Sequence, residues 1–342
     1  MPPATPLPTF HASQAPGFGS DVSLEQRPVA VLKFGGSSVG SQETFASVVD
    51  VVTDASNHGP LVVVASALAQ VTRELSGGLE AFASRDYDTA VVNRLLDTLK
   101  RRHLDHAASA LQPLSVDAYH PILKDRLSHL RSIFDQVRTD GFTPAYRDAI
   151  LACGEQMSVP ILTLALRDAG HTAPHCDATA LVVTDDAFGG ANVDLGATAD
   201  RVRRWHNTLA ADAVPVVAGF IGATPSGTVT TLGFEGSDYT ASLLAAILEA
   251  RGLTRYTDVD GIYTADPNTD ASATRLDQIA MEEAYARTES GKLGMHPKTL
   301  RPLVHAGIPM QVRSIQAPSA RGTCILPEGM SADVLVPPVP AA

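Results

Sequence analysis

Apolar positions follow two alternating patterns along most of the chain. Val29-Ala30-Val31-Leu32, just after Pro28, is an unbroken apolar run that stops near a glycine pair, as expected of a strand buried on both faces. Phe45, Val48, Val49 and Val52 then recur at helical spacing, and Asn57-His58-Gly59-Pro60 ends that helix. Leu61 to Ala65 is a second apolar strand, so this stretch reads strand, glycine loop, helix, strand. From about Gln70 to Ala149 the chain turns helical and more charged. Leu123, Leu127, Leu130, Phe134 and Val137 form one apolar stripe there, which predicts a helical lobe or lid beside the sheet. Ile161 to Leu166 continues as a buried helix ended by Gly170. Strands are predicted again at Leu181 to Thr184 and Val214 to Phe220, with a turn at Ser226-Gly227 between two short extended pieces. Ser237 opens a helix as its N-cap, and that helix carries Leu243, Leu244, Ile247 and Leu248. Further strands are expected near Arg255 to Thr257 and Met310 to Val312. This order predicts an α/β fold, a three-layer αβα sandwich with a mainly parallel central sheet.

At 342 residues the chain exceeds the size at which one core usually stops growing, so one large domain or two lobes sharing a sheet is expected. A net charge of -11 argues against general nucleic-acid binding, yet it leaves room for a local basic pocket. Cys153, Cys176 and Cys324 lie far apart with no metal-type spacing, which suggests a reducing compartment and thiols used as small core hydrophobes. No unbroken run of 18 apolar residues occurs, so no membrane span is expected. The segment Met1 to Ser20 is rich in Pro, Ala and Ser and has no basic region leading into an apolar one. It reads as a disordered leader rather than a secretory signal. His103 and His106, beside Arg101 and Arg102, read as a solvated helix face rather than a metal site.

Three constellations carry chemistry. Lys33-Phe34-Gly35-Gly36-Ser37-Ser38 lies between the first strand and the first helix. Its glycines let the backbone approach an oxyanion, the helix start offers free N–H groups to phosphate, and the lysine adds a point charge. The spacing fits neither the Walker A loop nor the dinucleotide fingerprint. The run from Thr230 to Thr240 sets Gly233, Gly236 and Ser237 at another helix start, with Asp238 where the helix dipole favours an acid. The run from Thr257 to Asn268 follows a strand and is dense in turn residues, like a ligand loop at a strand's carboxyl end.

These runs, with Ser66-Ala67, Val71-Thr72, Gly154-Glu155 just before a helix, His296-Pro297-Lys298-Thr299 and Arg321-Gly322-Thr323, resemble in order the motifs of the aspartate kinases, in the amino-acid-kinase (carbamate-kinase-like) superfamily. The resemblance covers about Val29 to Leu326. It implies a catalytic domain at 29–326, with a substrate lobe at about 29–212 that includes the helical part 70–149, and a nucleotide lobe at about 213–326. Residues 1–28 would be the leader and 327–342 a loose tail. It implies transfer of the ATP γ-phosphoryl group to the side-chain carboxylate of L-aspartate, the first step toward lysine, threonine and methionine, in the cytoplasm. Homodimers are common among these relatives.

By that resemblance Lys33 acts on the moving phosphoryl group and Asp238 orients Lys33. Gly35, Gly36 and Ser37 would contact phosphate, and Ser66, Thr72, Glu155, Phe234, Glu235, Gly236 and Ser237 would line the amino-acid site, with Glu155 toward the ammonium. Thr257, Asp258, Tyr263, Asp266, Asn268 and Lys298 would hold the nucleotide, with Mg²⁺ mostly on phosphate oxygens and no protein ligand named.

Three departures stand out. Phe234-Glu235 replaces the family's Arg-Gly, removing a carboxylate clamp; either Arg73, Arg147 or another base takes over, or the substrate differs. The lysine expected three residues before His296 is Leu293, with Lys292 one place early and Lys298 as a substitute charge. No ligand-sensing ACT domain fits between Leu326 and Ala342, which implies no lysine or threonine control through such domains. The alternatives are a relative acting on another carboxylate or a carbamate, and a non-catalytic descendant that binds ATP or an amino acid.

Overall fold

The structure is a computed structural model, and it describes residues 29–84, 88–265, 269–270, 272–291 and 293–335. The leader, Lys292 and the end of the tail lie outside these. The chain opens with β1 (Ala30–Phe34), α1 (Gly36–Val39), α2 (Gln42–Ser56) and β2 (Leu61–Ala65), the unit that the apolar pattern predicts. Four helices follow: α3 (Val71–Ser84), α4 (Thr89–Ala110), α5 (Pro113–Asp140) and α6 (Pro144–Asp168). Then come β3 (His175–Asp177), α7 (Leu195–His206), β4 (Val216–Ala218), β5 (Ile221–Ala223), β6 (Val229–Thr231) and α8 (Gly236–Ile247). The remainder is β7 (Gly252–Thr257), β8 (Ile262–Tyr263), β9 (Arg275–Leu276), β10 (Gln278–Ala280), α9 (Met281–Glu289), α10 (Pro297–Ala306), β11 (Met310–Ser314) and β12 (Thr323–Leu326).

One eight-stranded sheet runs in the order β10-β12-β11-β7-β1-β2-β4-β3. All its pairings are parallel except β11 with β12. β1 and β2 are buried throughout, which is why both read as continuous apolar runs. α8 packs on β1, β2 and β7 and carries α10, while α2 and α6 lie against β2 and β4. The helices thus flank the sheet as the αβα sandwich requires. Parallel neighbours bring the carboxyl ends of β1, β2 and β7 to one edge, where an open α/β sheet places its ligands.

Five expectations change. Leu181 to Thr184 is not a strand: Asp177 caps a short turn by accepting from Thr179 N at 2.9 Å, and only Val183 and Thr184 make single bridges, so β3 lies earlier. The strand expected over Val214 to Phe220 breaks at Phe220, whose φ is 70°, and Ile221 starts a separate hairpin across the Ser226-Gly227 turn. α8 is capped by Glu235, in the left-handed region, and Ser237 falls within its first turn. Gly154-Glu155 sits in the middle of α6, not before it.

His103 and His106 are buried rather than solvated. α4 is enclosed by α2, α3, α5 and α6, so its polar residues on the inner face must find partners. His103 Nδ1 donates to the Leu99 carbonyl at 2.7 Å, which leaves Nε2 to accept from Ser158 Oγ at 3.1 Å. Burial pushes the His103 imidazole down to about 4, so it stays neutral. Ser158 in turn accepts from Leu68 N at 3.0 Å, so this chain of hydrogen bonds anchors the loop after β2. α6 is, among the described residues, the one helix long and apolar enough to cross a membrane, and 89% of its apolar window is buried inside the fold as a core helix. The three thiols are free, Cys153 and Cys324 in the interior and Cys176 half-buried.

Candidate active site

The site grows from the end of β1. Lys33 is the fourth residue of an otherwise apolar strand and is 5% exposed, so its ammonium needs a buried partner. Asp238, in the first turn of α8, supplies it: Nζ donates to Oδ2 at 2.8 Å across 205 residues of sequence. Arg255 faces Lys33 in the β1–β7 register and sets Nε 2.9 Å from the other oxygen, Oδ1. That second contact lies off the N–H direction. It is an ion pair, and neither Nε nor Oδ1 has a hydrogen-bond partner. Arg255 also donates from Nη2 to Glu235 Oε1 at 3.4 Å. Glu235 Oε2 accepts from His296 N at 2.6 Å and Thr299 Oγ1 at 3.4 Å, which ties the network to the start of α10. Burial pushes the Lys33 ammonium below its ordinary value, with Asp238 opposing. Burial pushes Asp238 up, but Lys33 and Arg255 together outweigh it and hold the carboxyl below the usual range.

Beside this network lies a cavity of about 340 Å³. All seven residues assigned to the amino-acid site line it: Ser66, Thr72, Glu155, Phe234, Glu235, Gly236 and Ser237, joined by Gly36 and Asp238. Gln70 and Phe220 also line it, and with Glu235 they account for three of the four described non-glycine residues with positive φ. Backbone strain of this kind collects where a site overrides local preference. Glu155 Oε1 accepts from Ala67 N at 3.2 Å, while its buried Oε2 has no partner. Burial pushes that carboxyl up to about 8. A buried acid that is short of a partner in the lining of this cavity can take a cationic group.

Gly36 shows why the first loop needs glycine. A Cβ there would stand 2.7 Å from the Ala67 carbonyl oxygen, which belongs to the facing loop. Gly36→Ala is expected to lower unfolding stability by about 1–3 kcal/mol, the usual range for overpacking, and to part the two loops. Denaturant unfolding measures the first effect and weakened ATP binding the second.

The expected nucleotide residues divide. Gly35, Gly36 and Ser37 follow β1 and Thr257 ends β7, so the two loops leave adjacent strands side by side; Ser38 Oγ donates to Tyr256 O at 3.5 Å between them. Thr257 Oγ1 donates to Asp258 at 3.0 Å, and Tyr263 OH donates to Asp260 at 2.8 Å. Lys298 sits in the first turn of α10, its N–H donating to His296 Nδ1 at 3.1 Å. Asp266 and Asn268 lie outside the described residues.

The Amino acid kinase family model matches residues 28–314. This chain belongs to that family. Among the kinases it resembles are lysine-sensitive aspartokinase 3 of Escherichia coli (strain K12), 31% identical over 87% of this chain and 64% of that protein, and the chloroplastic aspartokinase 3 of Arabidopsis thaliana, 31% identical over 88% and 53%. The crystal structure of E. coli aspartokinase III in complex with aspartate and ADP (R-state) superposes with a TM-score of 0.78 at 30% identity, covering 89% of this chain and 65% of that one. The chain spans between about a third and two thirds of the length of the curated relatives it matches.

Against that family pattern, Phe234 lies 78% exposed at the cavity rim, its ring 6.5 Å from that of His296. Among the described residues, no lysine or arginine lines the cavity. Of the two arginines named as possible replacements for the lost clamp, Arg73 donates to Gln70 Oε1 at 2.9 Å and so stands one residue behind the lining, while Arg147 lies beside Gly189. Leu293 packs against the core, so that position of the amino acid kinase pattern holds an apolar contact. Sequence reasoning missed Arg255 as a site residue. Its one signal is an arginine within a strand that is otherwise mostly buried.

Proposed function

We propose that this chain transfers the γ-phosphoryl group of ATP to the side-chain carboxylate of L-aspartate, giving 4-phospho-L-aspartate and ADP, at the entry to lysine, threonine and methionine synthesis. The observation that carries the reading is the buried Lys33–Asp238 pair at the edge of a cavity lined by all seven residues assigned to the amino acid. The likeness to aspartokinases over most of the chain supports it.

A carboxylate acceptor has a free pKa of about 4 and is already ionised at neutral pH, so no general base is needed. Its oxygen attacks the γ-phosphorus, the bond to the bridging oxygen of ADP breaks, and ADP leaves with that electron pair. The protein's task is to place the two anions together and neutralise their charge. Lys33 does this at the phosphoryl group. Gly35, Gly36 and Ser37 offer N–H groups to phosphate, Ser66, Thr72 and Ser237 contact the amino acid, and Glu155 takes its ammonium. Thr257, Asp258, Tyr263, Asp266, Asn268 and Lys298 are assigned to the nucleotide.

Mg²⁺ accompanies ATP in such chemistry, with phosphate oxygens and water as its main ligands. The described residues hold no group of three His, Cys, Asp or Glu side chains suited to a metal. Asp238, the acid nearest Lys33, is already shared by two cations. The described residues do not form a cage for the ion, so none of them is assigned to it.

The lack of a lysine or arginine among the described residues that line the cavity favours one second reading, a kinase for a different carboxylate or a carbamate. A panel of aspartate, glutamate, N-acetylglutamate and carbamate, followed by ADP release, separates the two. Aspartate is expected to turn over fastest. Robust turnover of another member with none for aspartate would replace the first reading with the second.

A further inference from the structure

We propose that Arg255 is a positioning residue for phosphoryl transfer: it keeps the Asp238 carboxylate paired while the Lys33 ammonium leans onto the moving phosphoryl group. The proposal rests on the kinase reading and adds a role to the same site.

Asp238 is shared. Lys33 binds one of its oxygens at 2.8 Å and Arg255 approaches the other at 2.9 Å, from the facing position on the next strand. A lone buried Lys–Asp pair resists such use, because moving the lysine strands a buried charge. With Arg255 on Oδ1, Asp238 is never left alone. The guanidinium also has capacity to spare. Among the described residues its one hydrogen bond is the 3.4 Å contact to Glu235, and Nε faces Oδ1 off axis. A small turn of the side chain aligns Nε–H with Oδ1 as Lys33 departs. Glu235, itself fixed by His296 N–H at 2.6 Å, keeps Arg255 from following Lys33 to the phosphate.

The groups facing Lys33 are Asp238 from α8, Arg255 from β7, Glu235 from the loop before α8, and Glu155 from α6. Arg255 lowers the Lys33 titration, so neutralising it moves that titration to higher pH.

The test uses the full chain and the variants R255Q and R255K. Steady-state rates are measured from pH 6 to 10, and Lys33 acylation is followed by mass spectrometry across the same range without nucleotide. For R255Q we expect kcat to fall about tenfold to a hundredfold, less than the loss of a group that touches the phosphoryl itself because Arg255 acts through Asp238, with KM for ATP changed less than about threefold. The alkaline limb of kcat and the Lys33 acylation profile should both move to higher pH. R255K, which keeps the charge but not the fork, should lose less kcat and leave the acylation profile near that of the parent. A purely structural role would lower the melting temperature and leave the Lys33 titration of the folded protein in place.

The proposal is overturned if R255Q keeps kcat within about threefold of the parent, or if folded R255Q acylates with an unmoved profile. Should R255Q not fold, R255K decides: a lowered kcat at constant KM supports the role, and parental kcat removes it. If the parent chain turns over no substrate, the kinase reading fails by itself. The acylation profile then still reports whether Arg255 governs the Lys33–Asp238 pair.

Discussion

Lys33→Ala is expected to leave the chain folded and to cut turnover by at least about a hundredfold, the loss typical of removing one charge-stabilising donor from a reacting centre. The proposed reaction leaves little else for the protein to supply, since the carboxylate acceptor is already ionised and the phosphoryl group must shed charge onto the Lys33 ammonium. The fold survives for a reason visible at the same place. Removing one partner of an isolated buried ion pair costs about 3–5 kcal/mol, because the other charge is left uncompensated. Here Arg255 stays 2.9 Å from Asp238 Oδ1 and covers it. ADP release under saturating substrates gives the first quantity and thermal unfolding the second. A variant that turns over at the parental rate would remove Lys33 from the mechanism.

The second large effect belongs to Glu155. Its carboxyl is pushed up to about 8 by burial, so at pH 7 most of it carries a proton. An ammonium substrate needs it ionised. Raising the pH from 7 to 9 therefore increases the competent fraction about tenfold, and KM for the amino acid should fall by about that factor. Binding near pH 7 should release a proton, seen as a calorimetric heat that depends on the buffer. The sign for stability is opposite. A carboxyl titrating near 4.5 when unfolded and near 8 when folded binds more protons in the folded state between those values, so the ligand-free protein loses stability as pH rises through that window. Glu155→Gln should flatten that loss. It should also raise KM about tenfold to a hundredfold, matching the 1.5–3 kcal/mol of a charge-assisted hydrogen bond. A KM that is indifferent to both pH and this substitution would take the ammonium away from Glu155.

Much of this was legible in the sequence because it is local. β1 and β2 announced themselves as apolar runs, and the Ser226-Gly227 turn by its turn residues. What failed was set by tertiary context. His103 looks solvated beside two arginines, yet four neighbouring helices enclose α4, and only Ser158, 55 residues away, supplies its second partner. Leu181 to Thr184 has strand composition, but the Asp177 turn before it and the β5–β6 hairpin beside it leave those residues only single bridges. The seven residues assigned to the amino acid line one cavity, six of them from loops and helix starts at the ends of elements and Glu155 from the middle of α6. Arg255 escaped notice because its meaning comes from strand register. Only pairing β7 with β1 sets it opposite Lys33. Glu235 is named in the sequence reading as part of the amino-acid lining, but nothing local marks it as a carboxylate turned inward onto α10 from a left-handed cap.

The most direct test is a crystal structure of the chain with a non-hydrolysable ATP analogue and L-aspartate. The expected arrangement has the terminal phosphate within hydrogen-bonding distance of Lys33 Nζ, the amino-acid ammonium on Glu155, and Asp238 still held by Arg255. Nucleotide bound away from Lys33 and Asp238 would contradict it.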